Sequence, residues 1–265
     1  MHRRLIRSLL NLRRALIGLP RRIRGARLAD RWTRAELDGS SRSQIKDKTV
    51  DRNPIQDYYV RCVDGPRMQK WLHYPEIYDR HLAKFVGRES VVVEIGVDGG
   101  GSLQMWRQCF GPACTVHGID IDPECLAFAS EGIIVHTGDQ ADRAMWIRFR
   151  AMVPQIDMLI DDGGHTPEQQ IVTLEEMLPH LRSGGVYICE DVHGSGNGFA
   201  EFAYGLCDRL NAGSIESDTG EDTIAMTPFQ ASIHSVHLYP LLVLIEKHSK
   251  PESHFSAPLR GAQRK

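Results

Sequence analysis

VVVEIGVDGGGSLQMWRQCFG, residues 91–111, decides the fold. VVVEIG (91–96) is an apolar run that stops at an acid and a glycine; a glycine-rich turn follows, and SLQMWRQCFG (102–111) then carries apolar residues at helical spacing. A strand apolar on both faces that passes straight into a helix is the repeating unit of a parallel sheet covered on both sides.

The same alternation runs outward from there. TVHGIDI (115–121) reads as a strand and PECLAFASEG (123–132) as a helix opened by proline. IIVHTGD (133–139) precedes the helical DRAMWIRFRAM (142–152), and IDMLIDD (156–162) precedes TPEQQIVTLEEMLPHL (166–181). GVYICED (185–191) is followed by GFAEFAYGLCDRLN (198–211), and SIHSVHLY and PLLVLIEK (232–247) are two strands almost without a loop between them. The pattern predicts an α/β fold: a doubly wound, mostly parallel seven-stranded sheet, Rossmann-like, whose last strand runs antiparallel.

At 265 residues the chain suits one such domain with extensions. Residues 1–35 hold eleven arginines against one acid, Asp30, leaving 21 basic and 33 acidic residues in the remainder. An acidic body is unsuited to nucleic acid. The arm places Leu5, Leu9, Leu12, Leu16 and Leu19 at spacings of three and four before Pro20, a basic amphipathic pattern. It is open to three readings: a solvated tail, contact with an anionic membrane surface, or a targeting peptide. Residues 36–57 are polar and read as a linker, 58–250 as the main domain, and 251–265 as a flexible tail. Within the domain, the lead-in at 58–88 reads either as packing against the body or as a lid. The six cysteines form no C-x-x-C pair, which points to free thiols in a reducing compartment. The expected location is cytoplasmic, with the arm permitting contact with the inner face of the membrane.

The strand ends carry the chemistry. Glu94 and Gly96, Asp120 and Asp122, Asp139 and Gln140, Asp162 and His165, and Glu190 and Asp191 all fall at carboxyl ends, where open parallel sheets bind ligands. EIGVDGGGS (94–102) departs from the dinucleotide fingerprint, and its acid would repel a pyrophosphate. An acid there suits a ligand bearing ammonium and sulfonium charge, S-adenosylmethionine, with Glu94, Gly96, Asp120, Asp139 and Gln140 as its expected contacts. Asp120 is placed to accept the ribose hydroxyls.

EIGVDGGGSLQMW, HGIDID, GDQAD, LIDDGGH, LPHLRSGGVYICED and SIHSVHLYPLLVLIEK together resemble the class I methyltransferases that O-methylate sugars of macrolides and related glycosides, the mycinamicin sugar methyltransferase group. The resemblance spans about residues 68–247. It implies a divalent metal, normally Mg2+, on Asp162, Glu190 and Asp191, and His165 as general base. Carboxylate oxygens suit a hard ion that can acidify a sugar hydroxyl, and a neutral imidazole can take its proton. The acceptor expected is a glycosylated small molecule, glycolipid or glycan, and a homo-oligomer is compatible with the sequence. His193 reads as a neighbour of the site or a solvated loop residue. The compact VHGSGNGFAEF (192–202) departs from macrolide-binding members, which have a long aromatic loop there. The rival readings are a non-heme metal-dependent hydroxylase and a catalytically inactive S-adenosylmethionine-binding module.

Overall fold

The computed structural model describes Arg27, Ala29, Asp30, Thr33 and residues 54–193, 196–211 and 222–258. The chain divides into two units, Met1–Val50 and Asp51–Lys265. In the first, the described residues are helical, and Thr33 Oγ1 donates to the carbonyls of Ala29 and Asp30 at 3.0 Å. The leucine-bearing segment up to Pro20 and most of the expected linker lie outside the described residues.

The second unit opens with α1 (Pro54–Arg61), which begins inside the stretch expected to be linker. Ile55 is its anchor, buried in the same apolar cluster as Trp106 and Phe110. Next come α2 (Tyr74–Leu82), β1 (Ser90–Ile95), α3 (Gly101–Phe110), β2 (Cys114–Asp120), β3 (Ile133–Thr137), α4 (Arg143–Met152), β4 (Ile156–Asp161), α5 (Pro167–Met177), β5 (Leu181–Cys189) and α6 (Gly198–Leu210). The chain closes with β6 (Asp222–Ala225), α7 (Pro228–Ser232), β7 (Ile233–Tyr239), β8 (Leu242–Lys247) and β9 (His254–Ala257).

Seven strands form one sheet in the order β3-β2-β1-β4-β5-β8-β7. The first five run parallel, while β8 pairs antiparallel with both β5 and β7, as expected for the last strand. Side chains alternate between two apolar layers. Val92, Met158, Ile160, Val186, Ile188 and Leu244 pack with Tyr78, Trp106 and Phe110 on one face. Val93, Ile95, Leu159, Tyr187, Val243 and Ile245 pack with Trp146, Phe149 and Phe199 on the other.

Two expectations change. The helix expected at 123–132 is a 3-10 turn, Pro123–Phe128, because Ser130 and Ile133 exchange backbone hydrogen bonds and Gly132 turns at positive φ to feed β3. The expected flexible tail contains β9, paired antiparallel with β6. Among the described residues no helix is long and apolar enough to cross a membrane, and all six cysteines are free.

One pair of groups ties this sheet to pH. His117 Nδ1 on β2 and His136 Nε2 on β3 lie 3.0 Å apart with stacked rings, one sharing a proton with the other. Burial and the neighbouring imidazole push His117 down to about 4, and burial lowers His136. The unfolded chain therefore binds protons here below about pH 6.5 that the folded chain refuses, so stability present above that pH is lost as pH falls toward 4. Replacing His117 with Phe should flatten this acid limb by on the order of 2 kcal/mol in urea unfolding measured at pH 7 and pH 4.5.

Candidate active site

Strands β1, β2, β4 and β5 end side by side, and their polar ends open into a cleft of about 1050 Å3. Gly96, Asp120, Asp139, Gln140, Asp162, His165, Glu190 and Asp191 all line it. Among the expected site residues, only Glu94 stands outside the lining.

The ends are laced by backbone bonds. Gly96 N–H donates to Ile119 O at 2.9 Å, Asp162 N–H to Ile95 O at 3.0 Å, and Glu190 N–H to Asp161 O at 2.9 Å. Gly96 turns at φ 87°, and a Cβ there would stand 2.1 Å from Asp162 O, so only glycine fits between the first and fourth strands. The following glycines leave room for the lead-in segment. Cβ atoms on Gly99 and Gly101 would strike Arg67 and Pro66, and Gly101 N–H donates to Arg67 O at 3.1 Å. Side chains at these two positions would push the lead-in segment away from the loop.

That segment supplies the residue that sequence reasoning missed. Lys70 is buried, its Nζ 3.1 Å from Glu94 Oε1, 2.8 Å from Asp162 Oδ2 and 3.1 Å from both oxygens of Glu190. Tyr78 donates to Glu190 Oε1 at 2.6 Å, and Trp106 to Glu94 Oε2 at 3.0 Å. Burial by itself would lower the Lys70 ammonium, but Glu190, Asp162 and Glu94 hold it well above its ordinary value. Burial raises Glu190 well above the carboxylate range, and the Asp162 charge adds to this against Lys70. Burial raises Glu94 too. A lysine in the aromatic stretch KWLHYPEIY was the available signal, since its charge has no business among core residues without acids to meet it.

The remaining acids point elsewhere. Trp71 Nε1 donates to Asp191 Oδ1 at 2.7 Å, and Tyr74 Oη donates to Leu241 O at 2.9 Å beside the same carboxylate. His165 Nε2 lies 3.9 Å from Asp162 Oδ1 and 3.6 Å from Asp191 Oδ2, and His193 Nε2 lies 3.6 Å from Asp191 Oδ1. His165 and Asp191 both adopt left-handed backbone, φ 57° and 53°, as does Asp98 at 46° on the glycine loop. Asp161 faces the other layer, where Gln140 Nε2 donates to it at 2.8 Å and burial pushes it up to about 7.

Three of the expected site residues have partners within the fold. Glu94 has its two oxygens hydrogen-bonded by Lys70 and Trp106. Gln140 donates to Asp161 and Thr173 and accepts from Gly164 N–H at 2.8 Å, which makes it the brace of the 162–165 loop. Glu190 accepts hydrogen bonds from Lys70 and Tyr78 at the edge of the cleft. For a divalent ion, Asp162 and Asp191 fit: with His165 they bring three ligand atoms within 4.8 Å of one another. Asp120 remains on the cleft wall, its Oδ2 accepting from Val97 N–H at 2.7 Å and its Oδ1 from Asp122 N–H at 2.9 Å. Asp139 is exposed beside it and accepts from Ala141 N–H at 2.8 Å.

The strand order, the glycine turn after β1 and the acid ending β2 define the class I methyltransferase fold. Residues 93–192 match the family described as a methyltransferase domain. Similar proteins include the 8-demethyl-8-alpha-L-rhamnosyl tetracenomycin-C 2'-O-methyltransferase of Streptomyces olivaceus, 31% identical over 67% of this chain and 51% of that one. The demethylmacrocin O-methyltransferase of Streptomyces fradiae is 32% identical over 67% of this chain and 50% of its own length. Among solved structures, the MycE methyltransferase from the mycinamycin biosynthetic pathway, in complex with Mg, SAH and mycinamycin VI, superposes with a TM-score of 0.62 at 25% identity, covering 74% of this chain and 53% of that one. This chain thus spans about half the length of the curated relatives it matches. The resemblance to sugar O-methyltransferases read from the sequence is borne out.

Removing Lys70 would leave three carboxylates converging without a counter-charge. Lys70→Met should cost about 3–5 kcal/mol in urea unfolding at pH 7, and adding Glu94→Gln to that variant should recover part of the loss. An unchanged midpoint for Lys70→Met would show that the ion cluster does not hold the lead-in to the sheet.

Proposed function

We propose that this chain is an S-adenosylmethionine-dependent O-methyltransferase acting on a sugar hydroxyl in a glycoside, glycolipid or glycan, with a divalent ion held at Asp162 and Asp191 and His165 as general base. The observation that carries this reading is that His165 Nε2 and the carboxylates of Asp162 and Asp191 converge in the same cleft that the glycine turn and Asp120 wall. The relatives' named activity, sugar O-methylation, supports it.

S-adenosylmethionine would supply an electrophilic methyl, and Mg2+, a hard ion suited to carboxylate oxygens, would acidify a bound hydroxyl. The chain's own groups do the rest. Asp120 has lone pairs left for ribose hydroxyls beyond those taken by loop amides, and the exposed Ile121 beside it offers apolar surface to a base. His165 Nδ1 is buried, and among the described residues no group hydrogen-bonds it to fix the ring's tautomer. A proton accepted at Nε2 lands between Asp162 and Asp191, which stabilise the imidazolium. Trp71 and Tyr74 hold Asp191 in place, and Lys70 holds Asp162 through its other oxygen. Lys70 thereby leaves Asp162 Oδ1 turned toward His165.

The assay is methyl transfer from labelled S-adenosylmethionine to rhamnosyl and other deoxysugar glycosides. Asp162→Asn should abolish turnover, whereas His165→Ala should keep cofactor affinity in calorimetry and lower turnover by about 10² to 10⁴ fold. A wild-type rate indifferent to chelator, or full turnover by His165→Ala, would overturn the reading.

A further inference from the structure

At the far end of α2 from Tyr74, a second cluster of ligating side chains lies away from the cleft. His81 stands in the last turn of that helix, His237 on β7 and Glu246 on β8. His81 Nδ1 is 3.5 Å and His237 Nε2 is 3.4 Å from the same oxygen, Glu246 Oε2, and the three ligand atoms lie within 4.8 Å of one another. Zinc–nitrogen and zinc–oxygen bonds of about 2.0–2.1 Å set tetrahedral ligand atoms roughly 3.4 Å apart. Two edges of the triangle already have that length.

The surrounding groups are arranged as outer partners of a metal site usually are. The other nitrogen of His81, Nε2, is 2.9 Å from Tyr239 Oη, and the other oxygen of Glu246, Oε1, accepts from Lys84 at 3.1 Å. Both side chains thus present one fixed atom inward. The Ser235 hydroxyl lies 2.9 Å from His237 Nε2 and donates to Glu246 Oε2 at 3.4 Å, so a polar oxygen already sits beside two of the three ligand atoms. The His237 side chain is about a third exposed, which leaves a way in from solvent.

We infer that His81, His237 and Glu246 form a site for a zinc-class divalent ion that clamps α2 onto the β7–β8 edge. Two imidazoles and one carboxylate select Zn2+ or Co2+ over Mg2+, which prefers all-oxygen ligands. The clamp would bear on the cleft through the helix itself. Tyr78, one turn before His81, hydrogen-bonds Glu190, and Tyr74, one turn earlier, touches Asp191. Fixing the end of α2 fixes the wall that holds both acids.

The test is titration of untagged, full-length protein with Co2+, followed by visible absorption, with Zn2+ competition and thermal unfolding alongside. One four-coordinate Co2+ per chain should appear, Zn2+ should displace it, and Zn2+ should raise Tm by several degrees. Asp162→Asn should keep this signal, while His237→Ala and Glu246→Gln should each lose it; using two variants guards against one that misfolds. The inference fails if the wild type shows no four-coordinate signal, if the signal survives both cluster variants, or if it vanishes with Asp162→Asn, which would assign the ion to the cleft.

Discussion

A single ammonium group, Lys70 Nζ, meets three carboxylates from three different strands, and the arrangement of the cleft depends on that meeting. Each acid arrives there for a separate reason: Glu94 is the last residue but one of β1, Asp162 follows β4 and Glu190 follows β5. Without a cation they would repel across a few ångströms at the largely buried floor of the cleft. Lysine is the compact answer, and it arrives on the lead-in segment, so the charge that relieves the sheet also docks the chain that covers it. Tyr78 and Trp106 complete the acceptors' hydrogen bonding, as a buried ionic group requires.

The two-sided sheet divides the labour among neighbouring acids. Because successive residues face opposite layers, Asp161 and Asp162, adjacent in sequence, lead different lives. Asp161 sits under Gln140 and Tyr187 with its pKa raised, a brace for the loop below the cleft. Asp162 turns to Lys70 with one oxygen and toward His165 with the other. The paired aspartates of LIDDGGH are thus one scaffold residue and one residue of the cleft. Gly163 is what lets Gln140 reach the Gly164 amide: a Cβ at 163 would fall 2.0 Å from Gln140 Oε1.

Much of this was legible from periodicity. The five parallel strands, the antiparallel closing strand and the gathering of acids at one sheet edge all follow from apolar runs that stop at polar residues. Side-chain partnership was not legible. Glu94 and Gln140 were read from their strand-end positions and Glu190 from the family resemblance, and none of those readings foretold their hydrogen-bond partners Lys70, Trp106, Asp161, Thr173 and Tyr78, most of them distant in sequence. Pairings such as Lys70 with Glu190, 120 residues apart, leave no local periodicity to detect. The short turn at 123–128 escaped for a different reason: its helix-like composition was overruled by the need to reverse direction before β3.

The backbone at His165 and Asp191 narrows what these positions can become. Both residues occupy the left-handed region, where histidine, aspartate and asparagine are tolerated and β-branched side chains are not. Chemistry and conformation therefore filter the same two sites. In a saturation library, a valine or isoleucine at 165 or 191 would be penalised for its shape before its missing charge was ever felt. Asparagine and glycine are the substitutions that separate the two filters, because they keep the turn and remove only the reactive group.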